Sequence, residues 1–148
     1  QYEAIYNMEE DFAVEVAPAR TFCFLSEIEM LKEQGLIKGG GLDNALVIVD
    51  KKIDQIEINR IRNLLGIEEE VIQGANGILN GKLLRFKNEP VRHKTLDLIG
   101  DLALLGTPIT GHVTAARAGH ASNVEFVKKL KKVYAKELEE LWKSENDE

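Results

Sequence analysis

Apolar residues recur along this chain in two patterns, one typical of strands and one typical of helices. Short runs of β-branched, aromatic or alternating apolar residues predict strands, and these fall at Tyr2 to Tyr6, Thr21 to Leu25, Ala45 to Val49, Leu83 to Phe86 and Ile109 to Ala116. Apolar residues at helical spacing between capping and stop signals predict helices, which run from Asn7 to Pro18, Ser26 to Gly35, Asp54 to Gly66, Asn88 to Gly106 and Ser122 to Trp142. The pattern predicts an α+β fold: a two-layer sandwich of helices on a small mixed or antiparallel sheet, with an inserted strand-helix-strand unit.

Composition places the chain among globular domains. Its 148 residues, 44% of them hydrophobic, suffice for one domain with its own core. We expect this domain at residues 1–143, followed by a polar tail or linker at 144–148. A net charge of −6 argues against nonspecific nucleic-acid binding. No apolar run reaches the roughly 18 residues that a membrane span needs, and the start at Gln1 without a methionine is what an excised fragment would show.

The single cysteine gives no sign of disulfide chemistry. Cys23 lies between Phe22 and Phe24, so we expect it to be a small core residue rather than a nucleophile. A reducing, cytoplasmic location fits this composition.

The helix from Asn88 to Gly106 carries candidate chemistry. His93 and Asp97 are one turn apart, so an imidazole and a carboxylate lie on the same side of the helix and can point at a common metal ion. A solvated polar face with a hydrogen bond between the two side chains accounts for the same spacing. The spacing alone therefore leaves both interpretations open.

Three separated motifs add a resemblance. They read Ala19-Arg20-Thr21-Phe22, Arg92-His93-Lys94-x-x-Asp97-x-x-Gly100-Asp101-Leu102 and Ala118-Gly119-His120-Ala121. In this order they resemble UDP-3-O-acyl-N-acetylglucosamine deacetylase, the zinc amidase that commits bacteria to lipid A synthesis. The resemblance covers nearly the whole chain, but only the second of the family's two domains. The missing first domain is expected to supply another zinc histidine and the catalytic glutamate.

The resemblance implies roles for the polar residues of these motifs. His93 and Asp97 would be zinc ligands, with the third protein ligand coming from the missing first domain. His120 would be the acid near the leaving group, and Asp101 the carboxylate that orients it and stabilises its protonated form. Thr21 would donate to the oxyanion. Without the family, His120 is as readily a residue that caps its helix, and Thr21 is a strand hydroxyl bonded to backbone.

Substrate contacts are implied in the same way. Lys94 and Arg117 are candidates for the nucleotide diphosphate, and Phe22 for the sugar or the root of the acyl chain. The strand-helix-strand unit at about residues 25–50 would line a passage for the acyl chain, which gives Gly40 and Ala45 a place in its wall. Lys94 and Arg117 could equally be ordinary surface charges, and Phe22 could be a core residue. The glycine segment that contains Gly40 could equally be a flexible turn.

Residues 53–79 depart from the commonest members of the family. The resemblance identifies this stretch as an insertion of the branch that can be fused to a hydroxyacyl dehydratase domain. The expected function is that of a deacetylase second domain, inactive by itself and acting with the missing first domain. In this branch the same polypeptide can also carry a fused dehydratase. Two alternatives stay open: a noncatalytic module that binds acyl chains or metal, and a self-contained zinc hydrolase that uses His93, Asp97 and His120.

Overall fold

The computed structural model describes residues 3–7, 9–39, 41, 43–66, 74, 76–137 and 139–140. These residues form five α-helices, two β-strands and one 3-10 turn. In chain order they are α1 (Phe12–Glu15), β1 (Thr21–Phe24), the 3-10 turn (Leu25–Glu27), α2 (Ile28–Glu33), β2 (Ala45–Ile48), α3 (Gln55–Leu65), α4 (Glu89–Ala103) and α5 (His120–Val133). The chain divides into two compact units. We call Pro18–Pro90 the sheet unit, and Gln1–Ala17 with Val91–Glu148 the helical unit.

The two strands of the sheet unit form the predicted strand-helix-strand arrangement. β1 pairs with β2 in parallel, with Thr21 opposite Ala45 and Phe24 opposite Ile48. A parallel pair needs a crossover, which the 3-10 turn and α2 provide. An isolated antiparallel bridge joins Ile48 to Ile78. The α+β class is therefore confirmed, and the strand pair is parallel where the sequence favoured a mixed or antiparallel sheet.

The core of the sheet unit contains residues from within the predicted insertion at 53–79 and residues from outside it. Its buried cluster comprises Leu25, Ile28, Val47, Ile58, Ile61 and Leu79. Ile58, Ile61 and Leu79 belong to residues 53–79. This stretch therefore contributes to the same core as the strands. Burying each side chain of this size stabilises the fold by roughly 1.5–3 kcal/mol.

Capping explains why α3 lies where it does. The Asp54 side chain accepts a hydrogen bond from the Glu57 amide at 2.8 Å, and Gly66 ends the helix in the left-handed region with φ of 68°. Ser26 does not cap α2 in the predicted way. Its hydroxyl donates to Asp50 Oδ2 at 2.5 Å. The hydroxyl that was predicted to cap α2 therefore binds a side chain 24 positions away.

Three of the five predicted strands are wrong, and two of them lie in the interior of the chain. Residues 83–86 are irregular, because side chains bind their backbone: Arg20 Nη2 donates to the Leu83 carbonyl at 2.7 Å, and the Arg85 amide donates to Glu89 Oε2 at 2.6 Å. Residues 109–116 are exposed and irregular, and the described part of the helical unit contains no strand to pair with them.

The remaining predictions concern the ends of the chain. Residues 3–7 are not a strand, and α5 ends at Val133 with further helical residues at 135–137 and 139–140. Tyr2, Trp142 and the tail at 144–148 lie outside the described residues. Among the helices of the described ranges, none has the length and apolar character to cross a membrane.

Candidate active site

One face of α4 carries the predicted metal-binding pair. His93 Nε2 lies 3.3 Å from Asp97 Oδ1, and the two side chains are 16% and 11% exposed. The helical period alone places them together, because residues four apart are neighbours on a helix surface. The pair thus presents one nitrogen and one oxygen from a mostly buried position.

His120 joins this pair from the first residue of α5. Gly119 precedes the helix, and the Ser122 hydroxyl accepts from the Gly119 amide at 3.1 Å and donates to the Gly119 carbonyl at 2.8 Å. This closed turn sets the start of the helix. The His120 ring then reaches α4, where its Nε2 lies 3.8 Å from Asp97 Oδ1.

Asp101 holds the other side of the His120 ring. His120 Nδ1 lies 3.0 Å from Asp101 Oδ1 and 2.9 Å from Oδ2. The Asp101 side chain is 12% exposed, whereas that of His120 is 68% exposed. The ring is therefore held by a largely buried carboxylate and remains open to solvent. Its contact is with Asp101 rather than with the end of its own helix.

Asn123 completes this arrangement, and sequence reasoning missed it. Its Nδ2 donates to Asp101 Oδ2 at 2.8 Å, and the residue is only 5% exposed. The available signal was an amide one turn after His120 on the side of α5 that also carries the buried Val127. A polar residue on a buried helix face needs a hydrogen-bonding partner.

The two cations predicted to bind substrate, Lys94 and Arg117, lie in different surroundings. Lys94 Nζ lies 2.9 Å from Asp97 Oδ2, so in this structure it pairs with the candidate metal ligand. Arg117 is exposed and has φ of 54°, an uncommon conformation for a residue with a side chain. Arg117 belongs to the irregular segment just before α5.

The remaining predicted site residues belong to the sheet unit. Thr21 is the exposed first residue of β1 and is paired with Ala45 of β2. Phe22 contacts Phe24 edge to face, with ring centroids 6.3 Å apart. Gly40 lies outside the described residues. Cys23 packs against the hydrophobic core, and burial, followed by the negative charge of Glu27, raises the pKa of its thiol, which is typical of an inert cysteine.

A buried ion pair lies beside Thr21. Arg20 Nε donates to Glu89 Oε1 at 2.8 Å, and the Arg20 amide donates to the same oxygen at 3.0 Å. Glu89 has no exposed surface and is the first residue of α4. Both residues belong to the sheet unit, where the pair joins the residue before β1 to the first residue of α4.

The donor set fits part of a zinc site. Two ligands with bonds of about 2.0–2.2 Å to a tetrahedral zinc lie roughly 3.3–3.5 Å apart, and His93 Nε2 and Asp97 Oδ1 are 3.3 Å apart. Within the described ranges, no group of three or more His, Cys, Asp or Glu side chains is arranged to hold a metal ion. Among the residues that the structure describes, this pair provides two candidate ligands, where a catalytic zinc normally has three from protein.

Comparison with known proteins identifies the protein family of this chain. The family model described as UDP-3-O-acyl N-acetylglycosamine deacetylase matches residues 1–65 and 51–132. The chain belongs to this family, which confirms the resemblance seen in the three motifs.

Individual relatives refine this assignment. The chain is similar to the bifunctional enzyme LpxC/FabZ of Chlorobaculum tepidum, with 53% identity over 133 residues, 89% of this chain and 28% of the relative. It is 43% identical over 132 residues to the protein of the same name from Bacteroides thetaiotaomicron, covering 89% of this chain and 28% of the relative. It is also 43% identical over 130 residues to the UDP-3-O-acyl-N-acetylglucosamine deacetylase of Chlamydia pneumoniae, covering 88% of this chain and 37% of the relative. The chain spans between about a quarter and two-fifths of the length of these curated relatives.

Proposed function

We propose that this chain forms the second domain of a zinc-dependent deacetylase that removes acetate from UDP-3-O-acyl-N-acetylglucosamine, in the committed step of lipid A biosynthesis. One observation carries the proposal: His120 Nε2 lies 3.8 Å from Asp97 Oδ1 while its Nδ1 is held by Asp101. A proton-transferring group thus stands beside a candidate metal ligand. The family membership and the relatives' names support the same reaction and substrate.

His93 and Asp97 are the residues that would hold the zinc. The third protein ligand and the general base would come from the part of the whole protein outside this chain. When bound, zinc polarises the amide carbonyl and lowers the pKa of a coordinated water toward about 7. His93 and Asp97 are mostly buried, and low exposure limits competition by bulk water for their lone pairs.

His120 would act on the leaving group. Hydrolysis of an amide breaks the bond between carbonyl carbon and nitrogen, and the departing nitrogen must gain a proton. Protonated His120 can donate it from Nε2, since Nδ1 is occupied by Asp101. The negative charge of Asp101 stabilises the ring while it carries the extra proton. A side chain that is 68% exposed in this chain has room for a substrate to reach it.

Substrate-positioning roles complete the proposal. Thr21, exposed at the start of β1, would donate its hydroxyl to the oxyanion. Lys94 and Arg117 would bind the nucleotide diphosphate, because two fixed cations match two phosphates. Phe22 would contact the sugar or the root of the acyl chain, and the unit at about residues 25–50, with Gly40 and Ala45, would line the acyl passage. We propose that the reaction takes place in the cytoplasm and that the same polypeptide can carry a fused dehydratase domain.

Acetate release tests the proposal. The whole protein, purified with zinc, is expected to release acetate from UDP-3-O-acyl-N-acetylglucosamine, to lose this activity on chelation and to regain it with added zinc. The isolated 148-residue chain, assayed with the same zinc, is expected to release none. Activity in the isolated chain would instead support a self-contained site, and an inactive whole protein with zinc bound would support a noncatalytic module.

A further inference from the structure

Asn123 is a buried amide that contacts the carboxylate holding His120. The residue is 5% exposed, and its Nδ2 donates to Asp101 Oδ2 at 2.8 Å. Its backbone amide is already used, donating to the Gly119 carbonyl at 3.0 Å. The hydrogen bonds of α5 thus use the backbone of Asn123, while its side chain binds a residue of another helix.

Asp101 Oδ2 receives two donors at once. His120 Nδ1 lies 2.9 Å away and Asn123 Nδ2 lies 2.8 Å away. His120 and Asn123 are one turn apart on α5, whereas Asp101 stands on α4. A carboxylate with a single partner can rotate about its terminal bond, and a second donor fixes its plane. Asn123 thus limits the orientations that the carboxylate offers to the imidazole.

The orientation of the carboxylate determines which ring nitrogen carries hydrogen. An ionised carboxylate only accepts hydrogen bonds, so Nδ1 of His120 must be the donor in this contact. Nε2 is then the nitrogen left to exchange a proton, and it is the one that faces Asp97 at 3.8 Å. Loss of the Asn123 bond would allow the carboxylate to turn and the ring to adopt the other tautomer.

We propose that Asn123 is a positioning residue for the deacetylation: it fixes Asp101 so that His120 keeps the Nδ1–H form and presents Nε2 toward the metal-binding pair. This inference rests on the proposed function. Asn123 would influence proton transfer indirectly, by orienting Asp101 and through it His120. It would have no effect on metal binding.

Asn123→Leu in the whole protein tests this role. The variant keeps the size of the side chain and removes its donor. We expect kcat to fall by roughly 10- to 100-fold, as for groups that orient a residue of the site from behind, with KM changed by less than about threefold and zinc content unchanged. Loss of zinc together with activity would overturn the proposal.

A double-mutant comparison separates positioning from general damage. In a His120→Ala background there is no ring to orient, so Asn123→Leu should lower kcat by less than about twofold. The same fold loss in both backgrounds would overturn the proposal. Glu125→Gln is the matched control, because Glu125 lies on the same helix and its carboxylate pairs with the exposed Lys128. If Asn123→Leu does not fold, Asn123→Ser replaces it, since its shorter hydroxyl cannot span the contact to Asp101.

The tautomer of His120 gives a readout independent of turnover. Nitrogen-15 spectra of the histidine-labelled whole protein, with the His120 signals assigned by their loss in His120→Ala, should show hydrogen on Nδ1 in the parent. Asn123→Leu should show a mixture of both tautomers. An unchanged ring signal would overturn the inference. A whole protein that releases no acetate would instead overturn the proposed function, so the two failures are distinguishable.

Discussion

Arg20 and Glu89 form an ion pair whose carboxylate has no exposed surface and whose guanidinium-bearing side chain is 10% exposed. Glu89 accepts from the Arg20 side chain, the Arg20 amide and the Arg85 amide. Burial by itself would raise the pKa of the Glu89 carboxyl, but these hydrogen bonds and the positive charge of Arg20 hold it below its usual value. The charged form of Glu89 is therefore part of the folded state.

Glu89→Gln is expected to lower the free energy of unfolding at neutral pH by about 3–5 kcal/mol, because it leaves a mostly buried arginine without its counter-charge. Urea unfolding measures this. Glu125→Gln is the control: it removes an exposed pair with Lys128, and solvent screens such pairs. Equal midpoints for parent and Glu89→Gln would contradict a structural role for the pair.

The same pair predicts a pH dependence. Because the pKa of Glu89 is lowered on folding, its stabilising contribution is complete above the ordinary glutamate pKa of about 4.3 and is lost as pH falls through the lower, folded value. The difference in unfolding free energy between parent and Glu89→Gln should therefore shrink below about pH 4. A difference that stayed constant between neutral pH and pH 3 would show that ionisation of Glu89 contributes nothing.

Residues 53–79 are expected to be indispensable to the core. Ile61 is 3% exposed and Ile56 on the same helix is 79% exposed. Ile61→Ala should cost about 2–5 kcal/mol because it removes buried methyl groups and leaves a cavity. Ile56→Ala, the matched control, should change the unfolding midpoint little. Similar midpoints for the two variants would mean that this stretch is not packed as described.

A close backbone approach predicts a sharp difference between two glycines. A Cβ at Gly74 would lie 2.4 Å from Gly81 Cα and 2.5 Å from the Ile78 carbonyl oxygen, whereas at Gly39 it would meet nothing within 4 Å. Gly74→Ala is expected to destabilise the chain by about 1–3 kcal/mol through overpacking, and Gly39→Ala to be nearly neutral. Thermal unfolding of the two variants side by side decides the point.

Local signals predicted the helices and the contact between His93 and Asp97 best. Asp54 and Glu57 form their predicted cap because both partners lie in one turn, and His93 meets Asp97 for the same reason. Ser26 shows the limit, since its hydroxyl binds Asp50, 24 positions away. A motif cannot reveal such a competitor.

The error at residues 83–86 and the omission of Asn123 share one physical cause, which is long-range pairing. Residues 83–86 have the composition of a strand, yet Arg20 and Glu89 take hydrogen-bonding groups of their backbone. Asn123 escaped notice because its partner Asp101 stands on another helix. The contact between His120 and Asp101 followed from family resemblance rather than from periodicity, for the same reason.

The proposed roles of His93 as zinc ligand and His120 as acid predict opposite effects of their removal on zinc content. His93→Ala should lose zinc, because it removes one of the donors. His120→Ala should keep zinc near one per protein while kcat falls by roughly 10²- to 10⁴-fold, the usual contribution of general acid-base catalysis.

The most direct measurement is the zinc content of the two variants of the whole protein, determined together with kcat for acetate release. His93→Ala should be metal-poor, and His120→Ala should be metal-replete but slow. Equal loss of zinc in both variants would contradict it and make His120 a ligand.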